Sequence, residues 1–438
     1  MRLNILKRKQ KGATTHEGGP AATPLGDVER LRRSVLACML WEDEFYEDGE
    51  AISARIGDLA SRVDPEIVAK LAIEARSKMN LRHAPLLLLT VLARTGAKRE
   101  KLVANTVAEV IQRADELSEL VAIYWRNGKR PLPAQFKKGL ARAFEKFDAY
   151  ELAKYDRPGP VRLRDVLFLV HARPRAAEQA ETWRKLASKE LDSPDTWEVS
   201  LSGGADKRET FERLLKTDKL GYLALLRNLR NMTQSGVDED LVRRAIEDRK
   251  GARRVLPFRF VAAARAAPIF DREIDQALQV AIKEQPKLEG RTIVLVDVSG
   301  SMVTRLSARS DLTRMDAAAA LAAVINGDTR VFTFSNDVVE APARRGLAGI
   351  DAIVKSQEHG GTYLGKAVTH VNVLKHRRLI VVTDEQSHDA VPDPVAEKAY
   401  MVNVASYRNG VGYGRWVHVD GFSEQVLRYI AEYERLYH

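Results

Sequence analysis

From Asp27 to about Leu288 the apolar positions recur three and four residues apart, as in "PEIVAKLAIEARSKM", "APLLLLTVLART", "KLVANTVAEVIQRA", "LPAQFKKGLARAFEKF", "GYLALLRNLRNM" and "DEDLVRRAIEDR". That spacing predicts amphipathic helices. Pro and Gly interrupt it at "NGKRPLP", "YDRPGP", "HARPR" and "DSPDTW", where they end helices. Many short helices joined by short turns predict stacked helical hairpins, a HEAT-like α-solenoid without an exact sequence period. After "EQPKLEGR" the pattern changes. Continuous apolar runs, "TIVLVDVS", "TRVFTFSN", "RLIVVTDEQ", "AYMVNVAS" and "RWVHVDGF", alternate with "TRMDAAAALAAVI", "GLAGIDAIVKS", "LGKAVTHVNVL" and "SEQVLRYIAEYERL". Fully apolar strands between amphipathic helices predict a parallel sheet covered on both faces.

The expected organisation is therefore multidomain. Residues 1–26, Gly- and Pro-rich around a basic "KRKQK", read as a flexible tail. Residues 27–289 form an all-α helical-repeat domain, and 290–438 an α/β Rossmann-like domain. A length of 438 residues supports more than one core. The single cysteine, Cys38, excludes an intramolecular disulfide and a cysteine-based zinc site, and reads as a small core residue. No apolar run reaches membrane-spanning or signal-peptide length, which points to a soluble cytoplasmic protein.

Charge sharpens the division. The formal net charge is +10, yet from Arg291 onward there are 17 basic and 17 acidic residues. All the excess lies before Arg291, in the tail and the helical part together. Such asymmetry points to a polyanion partner, most simply nucleic acid, with a generic solubility excess as the equal alternative on charge alone.

The run "TIVLVDVSGSM" supplies candidate chemistry. A strand ends in Asp297, with Ser299 and Ser301 at alternate positions behind it. In a doubly wound sheet the carboxyl ends of the strands are where ligands bind. "HGGTYLG" offers Thr362 behind two glycines, and "RLIVVTDEQ" offers Asp384 at another strand end. Hydroxyls and carboxylates make a hard oxygen site suited to one Mg²⁺ or Mn²⁺. Two carboxylates and three neutral ligands leave room for one more anion, such as a partner's Asp or Glu. The order Asp-x-Ser-x-Ser, Thr, Asp resembles the metal-ion-dependent adhesion site (MIDAS) of von Willebrand factor A domains. Tyr363, directly after the Gly-Gly-Thr, is bulky beside such a site.

The helical part also carries a resemblance. "LRRSVLACMLWEDEFYEDG", "MNLRHAPLLLLTVLAR", "LPAQFKKGLARAFEKFDAYELAKY", "RLRDVLFLVHARP" and "LLRNLRNM" resemble segments of TROVE domains. With the C-terminal A domain, the likeness to the Ro family of TROVE proteins runs from about Thr15 to the C-terminus. It implies a ring of helical repeats whose ends the A domain joins. It further implies binding of Y-like non-coding RNA and of single-stranded ends of misfolded or decaying RNA, a role in RNA quality control, an exoribonuclease as protein partner, and a monomeric chain. Carried over within the matching segments, the RNA-binding residues are Arg82, His83, Lys137, Lys138, Arg142, Lys154, Arg162, Arg164, His171, Arg173, Arg227, Arg230 and Asn231. Each is also readable as an ordinary solvated charge or a structural histidine.

No catalytic constellation emerges, so the chain reads as a non-enzyme. The haloacid-dehalogenase pattern needs a carboxylate where Ser299 stands, and no Gly-Lys-Ser/Thr phosphate loop occurs. Two further readings compete: an ATPase-associated adaptor that docks partners through a metal-bearing A domain, and a metal-dependent hydrolase. An adaptor would purify without RNA.

Overall fold

The computed structural model describes residues 26–35, 49–78, 81–192, 195–202, 204–255, 257–305, 312–404, 411, 414–420 and 426–436. The basic tail and Cys38 lie outside these. The first helices are α1 (Asp27–Val35), α2 (Gly49–Arg62), α3 (Pro65–Ser77), α4 (His83–Thr95), α5 (Leu102–Val110) and α6 (Ala114–Tyr124). They continue as α7 (Ala134–Phe144), α8 (Ala149–Tyr155), α9 (Leu163–Val170), α10 (Ala177–Ser188) and α11 (Trp197–Ser202). The last of the series are α12 (Lys207–Lys216), α13 (Tyr222–Gln234), α14 (Glu239–Asp248), α15 (Pro257–Ala266) and α16 (Asp271–Lys283).

From α1 to α10, and again from α12 to α16, helices pack on the one two places further on. The series α3, α5, α7, α9 forms one layer, α2, α4, α6 another, and α12, α14, α16 pack in the same way. This is the two-layer pattern of stacked hairpins. Helix α4 is buried from Ala84 through Ala93, as expected of a stretch apolar on every side. Its neighbours α2, α3, α5 and α6 enclose it.

Helices α5 and α7 approach closely at Gly139 on α7. A Cβ there would lie 2.6 Å from Val107 Cβ and 2.9 Å from the Ala104 carbonyl of α5. Ala is the better helix former by about 1 kcal/mol, but overpacking against backbone and a β-branched carbon costs about 1–3 kcal/mol. Gly139→Ala is therefore expected to lower stability in urea denaturation. An unchanged or raised midpoint would show that α5 and α7 separate freely.

The second unit, residues 287–420, is built on a six-stranded sheet. Its strands are β1 (Leu288–Asp297), β2 (Gly327–Phe334), β3 (Val338–Glu340), β4 (Arg378–Thr383), β5 (Lys398–Asn403) and β6 (Val417–Asp420), in the order β3-β2-β1-β4-β5-β6. Helices α17 (Arg314–Ala323), α18 (Gly346–Val354) and α19 (Leu364–Asn372) lie between strands. One strand departs from the all-parallel expectation. β3 pairs antiparallel with β2, with Thr333 opposite Val339. A tight hairpin after Phe334 places this three-residue strand at the edge, where it is too short to leave a periodic signal. The C-terminal helix α20 (Val426–Leu436) groups with the helical unit rather than with the sheet that precedes it.

Candidate functional site

The chain passes from β1 to β2 on one side of β1, while β4 pairs on the other. The crevice at the carboxyl ends of β1 and β4 is thus the point where strand order reverses, the usual ligand position in such sheets. Asp297 ends β1, and Asp384 follows β4 directly; both are fully buried. Asp297 Oδ1 accepts the Ser299 backbone N–H at 2.9 Å, and Oδ2 accepts the Thr383 hydroxyl at 2.6 Å. The Ser299 and Ser301 hydroxyls lie 3.3 Å apart. The loop carrying Thr362 is brought in by the Gly300 N–H, which donates to the Gly360 carbonyl at 2.9 Å, and by a 2.9 Å bond between His359 Nδ1 and the Val298 carbonyl.

The two glycines before Thr362 meet different demands. Gly360 N donates to Ser335 Oγ at 2.7 Å, and Gly361 N to Asn336 Oδ1 at 2.9 Å. A Cβ on Gly360 would lie 2.2 Å from Asn336 Nδ2, so any other residue there would displace the Asn336 side chain that holds Gly361. Tyr363 stacks on His388, with ring centroids 5.2 Å apart. Asp389 fixes the start of α19 by accepting the Gly365 and Lys366 N–H groups, each at 2.8 Å.

Burial raises the Asp297 carboxyl above the ordinary carboxylate range, and the neighbouring Asp384 raises it further. Hydrogen bonds from Ser299 and Thr383 oppose both. Two buried carboxylates that repel each other, with hydroxyls converging beside them, form a donor set that suits a hard divalent cation. Residues 383–387 are buried throughout, so the second carboxylate is held in a fully packed segment.

The predicted RNA-binding residues fall into separate groups. Arg82 precedes α4 and donates to Asp115 Oδ2 at 2.7 Å and to Glu119. Arg113 grips the same Asp115 with two bonds, and its guanidinium lies 4.8 Å from the Tyr155 ring centre. Lys154 lies 5.7 Å from that ring. Burial, then Arg82, hold the His83 imidazole below its usual range, so it offers hydrogen bonds rather than charge at neutral pH. Arg162 and Arg164 both act on Asp156, one residue beyond Tyr155, whose carboxyl burial raises. The structure thus gathers Arg82, His83, Lys154, Arg162 and Arg164 around the starts of α4, α6 and α9 and the end of α8.

Lys137, Lys138 and Arg142 lie on α7, the last two exposed and four residues apart. Arg142 Nη1 donates to Asn105 Oδ1 at 2.8 Å. His171 closes α9 with φ 52°, and Arg173 follows it on the surface. Arg227, Arg230 and Asn231 stand apart on α13, which packs on α12, α14 and α15.

Sequence reasoning passed over Arg113, Tyr155 and the turn between α6 and α7. The signal was available in that turn. Residues 120–144 contain Arg126, Lys129, Arg130, Lys137, Lys138 and Arg142, and no Asp or Glu. In the turn, Arg130 covers the Tyr124 ring at 4.2 Å and Lys129 the Trp125 ring at 5.5 Å. Among the described residues, no helix is long and apolar enough to cross a membrane.

Comparison with known proteins agrees with this architecture. The TROVE domain family matches residues 179–287, and the family described as VWA domain containing CoxE-like protein matches 272–407. Telomerase protein component 1 of Mus musculus is 36% identical over 78 residues, and that of Rattus norvegicus 35% over 78. Each of these matches spans 17% of this chain and only 3% of the relative. The crystal structure of the Deinococcus radiodurans RO (RSR) protein superposes with a TM-score of 0.68 at 18% identity. That match covers 94% of this chain and 99% of the other, and it shows a shared fold.

Proposed function

We propose that this chain, which joins a TROVE domain to a von Willebrand factor A domain, is a non-catalytic RNA-binding protein of the Ro type. The observation that carries this reading is the run of six cations without a carboxylate over residues 120–144. It lies on the end of α6, the following turn and α7, and five of its six cations are exposed. A charged strip of this kind tracks a phosphate backbone and reads no bases, so binding should be salt-sensitive and weak in sequence preference. The likeness to TROVE proteins supports RNA as the polyanion, in the form of Y-like non-coding RNA and single-stranded ends of misfolded or decaying RNA.

The site at the sheet end is part of the same proposal. Asp297, Ser299, Ser301, Thr362 and Asp384 would hold one Mg²⁺ or Mn²⁺. Once bound, the ion supplies an open coordination position for a partner's carboxylate. The chain's own residues supply the fixed frame: Thr383 and the Ser299 N–H orient Asp297, while Ser335 and Asn336 hold the Thr362 loop. An exoribonuclease partner, a monomeric chain and a cytoplasmic location complete the reading.

The test is fluorescence anisotropy of the full chain with labelled RNA across a salt series. A duplex with a 3′ overhang should bind better than its blunt counterpart. Lys138→Ala with Arg142→Ala should weaken binding similarly for different sequences. Each lost phosphate contact should lower the log–log salt slope by about 0.7. Equal binding of blunt and overhang duplexes, with the double variant unchanged on both, would return the chain to the adaptor class.

A further inference from the structure

Helix α9 presents a bare aromatic ring. Leu163, Val166, Leu167 and Val170 are its buried face. On the outward face Phe168 is 61% exposed. Arg164 lies one turn before it, and His171 follows three residues after it, near one turn on the same face. An exposed apolar side chain on its own needs no explanation. Two features set Phe168 apart. It is a flat ring with Arg164 four residues before it and His171 three after it, in the helical part, which holds most of the chain's positive excess. Its C-terminal neighbour in space, His171, is held at φ 52°, with its N–H donating to the Phe168 carbonyl. That left-handed conformation ends α9 at His171.

We infer that Phe168 is a stacking platform for one unpaired nucleobase, with Arg164 and His171 holding the phosphates on either side of that nucleotide. This rests on the RNA-binding reading and adds to it a base contact beside the phosphate-tracking strip. A ring face accepts any base, so the subsite favours an unpaired nucleotide over a paired one without choosing a sequence. Charge complementarity singles out a nucleic acid. An apolar protein contact would gain nothing from Arg164 one turn away or from the hydrogen-bonding imidazole of His171.

The experiment uses the full chain and a short labelled single-stranded RNA, together with versions carrying one abasic site at successive positions. Phe168→Ala should weaken binding about tenfold, within the range measured for single base–aromatic stacks. The log–log salt slope should not change, because no phosphate contact is lost. Phe168→Trp should restore affinity and Phe168→Leu should not. At one position the abasic site should cost the parent chain the same factor and cost Phe168→Ala nothing more. Thermal melting of Phe168→Ala should match the parent, since the side chain is outside the core. The stacking subsite is overturned if Phe168→Ala binds as the parent does, if Leu restores binding as well as Trp, or if every abasic site acts equally on parent and variant. A parent chain that binds no single-stranded RNA even at low salt overturns the RNA reading itself, and this subsite with it. Parent binding that ignores position 168 overturns the subsite alone.

Discussion

Asp297→Asn is expected to stabilise the metal-free protein and to abolish its stabilisation by Mg²⁺. The side chain is fully buried, and both burial and Asp384 disfavour its charge. Asparagine keeps the shape. Its carbonyl can still accept the Ser299 N–H, and its amide can donate to the Thr383 hydroxyl that now donates to Asp297. Removing a buried charge that lies against a like charge should raise stability in chelator by about 1–3 kcal/mol. The pH dependence has a definite sign. A carboxyl raised in the folded state binds protons there that the unfolded chain has released, so its contribution to stability falls as pH rises. The advantage of Asp297→Asn in chelator should therefore grow from the ordinary carboxylate range upward to the raised value, and then level off. With Mg²⁺ at a hundred times its Kd, the parent should gain about 2.7 kcal/mol and the variant nothing. Urea denaturation, with amide exchange of β1 and β4 to localise the change, measures both arms. Equal gains from Mg²⁺ in parent and variant would remove Asp297 from the ligand set. A variant less stable than the parent in chelator would show that the carboxylate is already balanced within the protein.

The strand end at Asp297 was legible because its signal is local. An apolar strand that stops at Asp297 and continues with hydroxyls at alternate positions announces a strand end, and the sheet pattern says that this is the carboxyl end of a doubly wound sheet. What holds those residues was not legible. Thr383 meets Asp297 across 86 positions, and Asn336 reaches Gly361 across 25; neither spacing leaves a periodic trace. The same contrast divides the basic residues. Arg162 and Arg164 are close in sequence and act on one carboxyl, as their spacing suggests. Arg113 and Tyr155 are paired only because α6 and α8 pack together. Arg82 reads as a free phosphate contact in the sequence, yet it already holds two carboxylates, a partnership that no sequence pattern announced.

Glu116→Ala should be among the most destabilising single changes in the helical unit. In the sequence, "ADELSEL" reads as an ordinary acidic first turn. In the fold, Glu116 is fully buried and joins three groups. It accepts Arg76 Nη2 from the last turn of α3 at 2.7 Å, and its other oxygen accepts the Gln112 and Arg113 N–H groups at 2.8 and 3.1 Å. One carboxylate therefore fastens α3 to the start of α6 and fixes the backbone that carries Arg113. Alanine leaves a buried guanidinium without this partner and two backbone donors unmet. Breaking a buried pair in this way costs about 3–5 kcal/mol. For a unit of this size that corresponds to roughly 10 °C in Tm. Glu116→Gln should cost less, since its carbonyl still accepts the two N–H groups and only the charge opposite Arg76 is lost. Arg76→Met combined with Glu116→Gln should cost less than the two single changes added together, because the pair is lost once rather than twice. Differential scanning calorimetry of the full chain reads these shifts. A Glu116→Ala melt that coincides with the parent's would mean that water replaces all three contacts, and that α3 and α6 are held by their apolar faces alone.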